Sequence, residues 1–255
     1  MSYGSIPVGA TGSASLRDAL NERALVGTFQ LIGHPTVTEA LVFAGADAIV
    51  VDAEHAALDL TTIEHLVRAG SGHVIVRVPE IGSAISRSLD TGAAGIVVPK
   101  VESAAQAAAL VDAVRFPPLG SRGIGAARAA RFGFGIADYL ATANDSLLAI
   151  AMVETRAGLD SVEQIAATEG LDLVFIGPTD LASSLGTVIG SNEHQAAIHR
   201  IIEATLAAGK LVGIHCADAA EAERYAASGV RLLLIGTDVA FLASTASASF
   251  TGSRR

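Results

Sequence analysis

The sequence predicts a single α/β domain, a TIM-type (β/α)8 barrel, and three observations predict it. Short runs of Val, Ile, Leu and Ala recur about eight times along the chain. They are near-continuous rather than alternating, which marks strands buried on both faces of a parallel sheet. Segments with helical spacing separate them, implying successive right-handed βαβ units. The chain has 255 residues, the size of one such barrel. The competing architecture is an open doubly wound sheet, which would normally carry a Gly-rich phosphate-binding first turn. The first turn here is Gly33-His34-Pro35, with no GxGxxG.

In chain order, residues 1–25 read as an N-terminal segment, Gly- and Ser-rich at first, with a short helix over Leu16–Ala24 that Ser15 can cap. Residues 26–247 read as the barrel and 248–255 as a flexible tail. Strands are predicted at Val26–Ile32, Ala48–Asp52, His73–Val78, Gly95–Lys100, Leu147–Val153, Leu171–Ile176, Leu211–Ile214 and Leu232–Ile235. Helices are predicted at Thr36–Ala44, Leu60–Ala69, Ala84–Thr91, Ala104–Val114, Ala157–Thr168, Ser191–Ala208, Ala219–Ser228 and Val239–Ala246. The rhythm breaks once, between Arg115 and Ser146. A long insert rich in Gly, Pro and Arg inside a regular array reads as an active-site loop, here residues 115–146.

The hydrophobic fraction of 51% against 17% charged residues supplies a large core and argues against disorder. A net charge of −9 with no basic stripe argues against a nucleic-acid partner; Arg128 and Arg131 form only a sparse pair. A single cysteine, Cys216, permits no internal disulfide and points to a reducing compartment. Its setting at the end of an apolar run reads as a buried structural thiol. The N-terminus lacks the charged flank and apolar stretch of a signal peptide. No apolar run approaches the ~18–20 residues of a membrane span, so a cytoplasmic location without a membrane partner is the expectation.

Polar residues gather where the apolar runs stop. Asp52, Glu54 and His55 follow the second strand, Arg77 sits on the third, Glu154 follows the fifth and Asp180 the sixth, while His215 and Asp238 end the seventh and eighth. In a barrel these positions share the C-terminal face, where barrel enzymes keep their chemistry. Glu154 and Asp180 emerge from neighbouring strand ends, and two such carboxylates suit a hard divalent cation. The plainer alternative is a solvated Glu154 and an Asp180 that caps the next helix. Arg77 cannot shed its charge and needs an anion, either an internal carboxylate such as Glu154 or a substrate carboxylate or enolate. His55 has the right chemistry to move a proton near neutral pH, or is an ordinary loop histidine. The only lysines are Lys100 and Lys210. Lys210 precedes its strand, at the wrong rim for a Schiff base, so carbanion chemistry here leans on a metal rather than an imine.

The stretches Val51-Asp52-Ala53-Glu54-His55-Ala56, Val76-Arg77, Phe116-Pro117-Pro118-Leu119-Gly120-Ser121-Arg122-Gly123-Ile124-Gly125, Val153-Glu154 and Phe175-Ile176-Gly177-Pro178-Thr179-Asp180-Leu181 resemble the HpcH/HpaI family of metal-dependent class II pyruvate aldolases. The resemblance runs from about Gly27 to Asp238. It implies a barrel, assembled as a homohexamer, that uses Mg²⁺, Mn²⁺ or Co²⁺. It implies cleavage or formation of 4-hydroxy-2-oxo acids, with pyruvate or a close 2-oxo acid and an aldehyde as the small-molecule partners. By similarity Glu154 and Asp180 match the metal ligands, Arg77 the enolate-stabilising arginine and His55 the general base, with Asp52 alongside. Asp90 matches an acid that a neighbouring subunit supplies to the histidine. Backbone amides around Thr179 and Asp180, next to Gly177, match a carboxylate-binding turn. The pocket for the aldehyde is expected to be built by the long loop around Arg122 together with a neighbouring subunit. The chain departs from the family pattern at Met152, where glutamine is common, at Phe29-Gln30, where tryptophan is common, and at Ala53, where glycine is frequent. The alternatives are a related metal-enolate lyase, citrate-lyase-like or an oxaloacetate decarboxylase, and a barrel that holds a 2-oxo acid without catalysis.

Overall fold

The computed structural model describes residues 15–252. Helix α1 (Leu16–Glu22) precedes strand β1 (Leu25–Gln30), and the chain continues through α2 (Pro35–Phe43), β2 (Ala48–Asp52), α3 (Leu60–Gly70), β3 (Val74–Arg77), α4 (Ser83–Asp90), β4 (Gly95–Val98) and α5 (Ala104–Val114). A loop with one 3-10 turn (Arg128–Gly133) leads to α6 (Ile136–Ser146) and β5 (Leu148–Val153). Then follow α7 (Arg156–Asp160), α8 (Val162–Ala166), β6 (Leu173–Ile176), α9 (Pro178–Leu185), α10 (Asn192–Ala207), β7 (Leu211–Cys216), α11 (Ala219–Ala227), β8 (Leu232–Thr237) and α12 (Asp238–Gly252). The strands pair in parallel and in sequence order, and β8 closes onto β1, as the (β/α)8 reading requires.

Two apolar shells explain the continuous strand runs. Phe29, Val50, Ile75, Val97, Ile150, Met152, Phe175 and Leu234 fill the barrel interior. Their sequence neighbours Val51, Val76, Ile96, Ala149, Ala151, Val174, Ile176 and Leu233 point outward and pack under the helices. Successive strand side chains alternate in direction, so a strand buried on both faces must be apolar at every position. Helix starts carry the side-chain caps expected of them. Ser15 forms a capping box with Asp18, and Asp59, Ser103, Ser191 and Asp218 each accept a backbone N–H at the start of α3, α5, α10 and α11. Among the described residues no helix is long and apolar enough to cross a membrane.

Most element ends shift by a residue or two, helices α6 and α9 are absent from the sequence reading, and three further points differ from it. The single helix predicted over Ala157–Thr168 is two short ones, broken at Ser161. Helix α12 continues past Ala246 to Gly252, through part of the predicted tail, because its Ala- and Ser-rich stretch contains no breaker before Gly252. Residues 253–255 of that tail, and residues 1–14 of the N-terminal segment, lie outside the described residues. The insert is the third. It leaves the C-terminal end of α5 and returns into β5, so topology places it at the N-terminal rim. It borders a cavity there together with Asp47, His73 and Ala94, the residues just before β2, β3 and β4. Within one chain it is therefore not a loop over the C-terminal face.

The same rim is tied together by a buried ion pair. Arg115 is 2% exposed, donates from Nη1 to the Leu147 carbonyl at 2.8 Å and pairs through Nη2 with Asp172. Asp172 also accepts the Ala149 N–H at 2.7 Å and pairs with Arg17 at 2.8 Å. Removing one member strands the other's charge in the interior. Asp172→Ala is therefore expected to cost about 3–5 kcal/mol, read by urea unfolding; a loss under about 1 kcal/mol would show that the pair is effectively solvated.

Candidate active site

At the opposite, C-terminal rim a cavity of about 240 Å³ is lined by Phe29, Asp52, His55, Arg77, Met152, Glu154, Gly177, Thr179, Asp180 and His215, among others. These side chains come from strand ends on most sides of the barrel, so closure of the sheet is what brings them together.

Glu154 directly follows β5 and is 2% exposed, which removes the solvated alternative. Its Oε1 accepts the backbone N–H of Lys100 at 3.0 Å. Lys100 adopts φ +51°, a left-handed conformation unusual for a side chain other than glycine, and the backbone bond to Glu154 is made from there. On the other side a Cβ added to Gly177 would lie 2.4 Å from Glu154 Oε2. The carboxylate thus occupies a slot with one polar wall and one wall made of a missing side chain. Burial pushes the Glu154 carboxyl up to about 7. The Lys100 N–H and the Arg77 charge work against that rise, and the negative charges of Asp180 and Glu54 add to it.

Asp180 lies in the first turn of α9, where Pro178 is the first residue and Gly177 holds the N-cap position. It does not cap the helix; it is an exposed carboxylate beside the amides of the helix N-terminus. Asp180 and Glu154 line the same cavity and interact electrostatically.

Arg77 is anchored by Asp52, not by Glu154. The two are cross-strand neighbours in the β2–β3 register, and the guanidinium forks onto the carboxylate with Nε–Oδ1 3.0 Å and Nη2–Oδ2 2.7 Å. Burial alone would raise the Asp52 pKa, but the hydrogen bond and charge of Arg77 outweigh it and hold the carboxyl below its ordinary range. Asp52 Oδ1 also accepts the N–H groups of Glu54 and His55, which turns the chain toward the cavity. The Phe29 ring lies 4.8 Å from the guanidinium carbon. Among the described residues Nη1 has Met152 Sδ at 4.0 Å and Glu54 Oε2 at 3.5 Å nearby, so it retains donor capacity toward the cavity.

Sequence reasoning left Glu54 out of the site residues, although it stands between Asp52 and His55. Its Oε2 is buried without a hydrogen-bond partner among the described residues. It lies 3.6 Å from His55 Nε2, and Oε1 lies 3.8 Å from Lys100 Nζ. The signal was its place inside a run of polar residues at a strand end. His55 itself is exposed at the cavity mouth. His215 lines the far wall beside Phe29, and burial lowers its pKa. Cys216 is buried and its thiol is pushed up to about 12 by burial, as a structural cysteine should be.

Asp90 and Arg122 are not in this cavity. Asp90 ends α4, which descends from the C-terminal to the N-terminal rim, and Arg122 pairs with it at 2.8 Å. The Arg122 guanidinium is held between the Phe116 and Tyr139 rings, 4.6 Å and 5.5 Å from their centroids. Within one chain the two residues form a structural clasp at the other end of the barrel.

The chain matches the HpcH/HpaI aldolase/citrate lyase family over residues 25–245. It is 43% identical over 232 residues to a hydroxypyruvate/pyruvate aldolase from Roseovarius nubinhibens, covering 87% of this chain and 89% of that protein. It is 37% identical over 232 residues to a 5-keto-4-deoxy-D-glucarate aldolase from Salmonella paratyphi C, covering 88% of this chain and 90% of that one. A crystal structure of an HpcH/HpaI aldolase/citrate lyase family protein from Burkholderia cenocepacia J2315 aligns with a TM-score of 0.88 at 36% identity, covering 94% of this chain and 99% of that chain. The closed barrel, the cluster of strand-end side chains and these matches agree: the chain belongs to the HpcH/HpaI aldolase/citrate lyase family and is an aldolase, a carbon–carbon lyase.

Proposed function

We propose that this aldolase reversibly cleaves a 4-hydroxy-2-oxo acid to an aldehyde and pyruvate or a close 2-oxo acid, with a divalent cation held by Glu154 and Asp180. The observation that carries the proposal is the buried Glu154 carboxylate, which lines the same cavity as Asp180 and as Arg77, whose Nη1 makes only a loose ion pair with Glu54. The names of the Roseovarius and Salmonella relatives support a small 2-oxo acid.

The residues fit a cation. Four carboxylates, those of Asp52, Glu54, Glu154 and Asp180, face two cations here, the Arg77 guanidinium and the exposed Lys100 ammonium. No three His, Cys, Asp or Glu side chains converge among the described residues, so two carboxylates would leave coordination positions open for substrate oxygens and water. Oxygen ligands of this kind suit Mg²⁺, Mn²⁺ or Co²⁺. Such an ion, when bound, acts as a Lewis acid on the 2-oxo group.

The protein's own groups do the rest. Arg77 Nη1 holds the oxygen on which enolate charge develops, and the fork from Asp52 keeps the guanidinium aimed there. Amides at the start of α9, around Thr179 and Asp180, receive the substrate carboxylate, and Gly177 keeps that approach open. His55 takes the proton from the C4 hydroxyl. The C3–C4 electron pair passes into the enolate, with charge on the C2 oxygen, the C4 hydroxyl becomes the aldehyde, and the proton taken by His55 is returned to C3 to give the 2-oxo acid. Asp52 and Glu54 are positioning residues in this scheme. Asp90 would reach a cavity only in a neighbouring copy, which the homohexamer expected of the family would supply, while the buried Arg122 would hold the Asp90 carboxylate in place. The exposed Phe132 and Phe134 on the insert, 64% and 96% accessible, support a covered surface there. A reducing, cytoplasmic setting accords with the lone buried thiol.

Two results test this. EDTA-treated protein should lose pyruvate release from 4-hydroxy-2-oxo acids by about 100-fold or more, with Mg²⁺, Mn²⁺ or Co²⁺ restoring it. Full activity after chelation, or activity confined to oxaloacetate, would count against the proposal. Gly177→Ala should push the Glu154 carboxylate out of its slot and raise the cation concentration for half-activation about 10–100-fold, with little change in melting temperature. An unaltered cation requirement would show that Glu154 is not a ligand.

A further inference from the structure

Two polar side chains of the cavity, His215 and Thr237, have no part in that scheme. His215 is on β7, and the strand order places β7 across the barrel from β3, which carries Arg77. A substrate held by Arg77 on one side and by the Glu154–Asp180 side on another presents its remaining substituents to the wall built by β7, β8 and β1. That wall is mostly apolar: Phe29 and Leu31 line it, with Phe175 next to them. The Thr237 hydroxyl on β8 already accepts the Ala240 N–H at 3.0 Å.

The contacts of His215 fix its tautomer. Nε2 lies 3.3 Å from the Gly236 carbonyl oxygen, which can only accept, so Nε2 carries the hydrogen. The Thr28 hydroxyl donates to the same carbonyl at 3.2 Å. The ring packs against Phe29, with centroids 5.8 Å apart. Nδ1 is left as a bare, uncharged acceptor with no hydrogen-bond partner among the described residues. A carboxylate could also accept from a hydroxyl, but those of the cavity are engaged, Asp52 by Arg77 and the others by the proposed cation.

We infer that His215 sets donor selectivity: its Nδ1 accepts a hydrogen bond from a hydroxyl on C3 of the 2-oxo acid, so that 3-hydroxylated donors are taken as well as pyruvate. This rests on the 2-oxo-acid reading of the site. An apolar wall with no acceptor strips water from that hydroxyl and offers nothing in exchange, which penalises hydroxylated donors. One neutral acceptor at the wall cancels the penalty and leaves the methyl of pyruvate, which needs none, in the same space.

The test is the ratio of kcat/KM for hydroxypyruvate to that for pyruvate, in aldol addition to one common aldehyde by the cation-loaded enzyme. His215→Phe keeps an aromatic ring against Phe29 but removes Nδ1, and the ratio should fall about tenfold. His215→Asn can place an amide oxygen near the Nδ1 position and should bring the ratio back toward that of the unaltered protein. An unchanged ratio in His215→Phe, including equal losses on both donors, would overturn the inference, as would a ratio in His215→Asn no better than in His215→Phe. Failure of the unaltered enzyme to use either donor would instead bring down the 2-oxo-acid reading, and this inference with it.

Discussion

A carboxylate taken out of water is the constraint around which this site is built. Glu154 sits at the end of a barrel strand, in a slot only a glycine neighbour leaves open, and its one hydrogen bond among the described residues comes from a backbone in the left-handed region. Burial and the acids nearby oppose its ionisation. A cation shared with Asp180 would reverse that balance, since it favours the charged form of both. Under this reading the Lys100 backbone, the absent Cβ of Gly177 and the raised Glu154 pKa serve a single purpose. Without a cation they would be three unrelated costs.

The positive half of the site follows a different logic. Arg77 is fixed before substrate arrives, because Asp52 engages two of its nitrogens and the Phe29 face packs against the third side. What remains is one donor nitrogen, held loosely by Glu54 and fixed in place before the reaction, which is how preorganised electrostatic stabilisation works. Met152 contributes by being a poor acceptor. Its sulfur touches Nη1 without saturating it, where a glutamine oxygen could have competed with the substrate. The departure from the family pattern at this position is thus compatible with a working site.

The fold was legible because its two apolar shells leave every interior strand residue hydrophobic, and that continuity is visible in one dimension. The cap at Ser15 was local and equally legible. The break at Ser161 and the full length of α12 were not, since both depend on how small side chains meet the barrel surface. The strand-end rule found Asp52, His55, Arg77, Glu154 and Asp180, all of which line one cavity. It could not say which acid Arg77 would choose, because the choice is made by cross-strand register, Asp52 standing beside Arg77. It left Glu54 aside for want of a reason to separate it from its neighbours. Asp90 entered only through the family resemblance, and Arg122 through the reading of its loop as part of the site. Their position at a helix end and beyond it puts them at the opposite rim, and alternation of strand and helix already implies as much for any residue just before a strand.

The central claim is that Glu154 and Asp180 together bind one divalent cation, and Mn²⁺ binding read by electron paramagnetic resonance tests it most directly, independent of any substrate. The account predicts one Mn²⁺ per chain in the unaltered protein, with affinity reduced about 100-fold in both Glu154→Gln and Asp180→Asn while the fold is retained. Mn²⁺ binding left intact by both substitutions would contradict it.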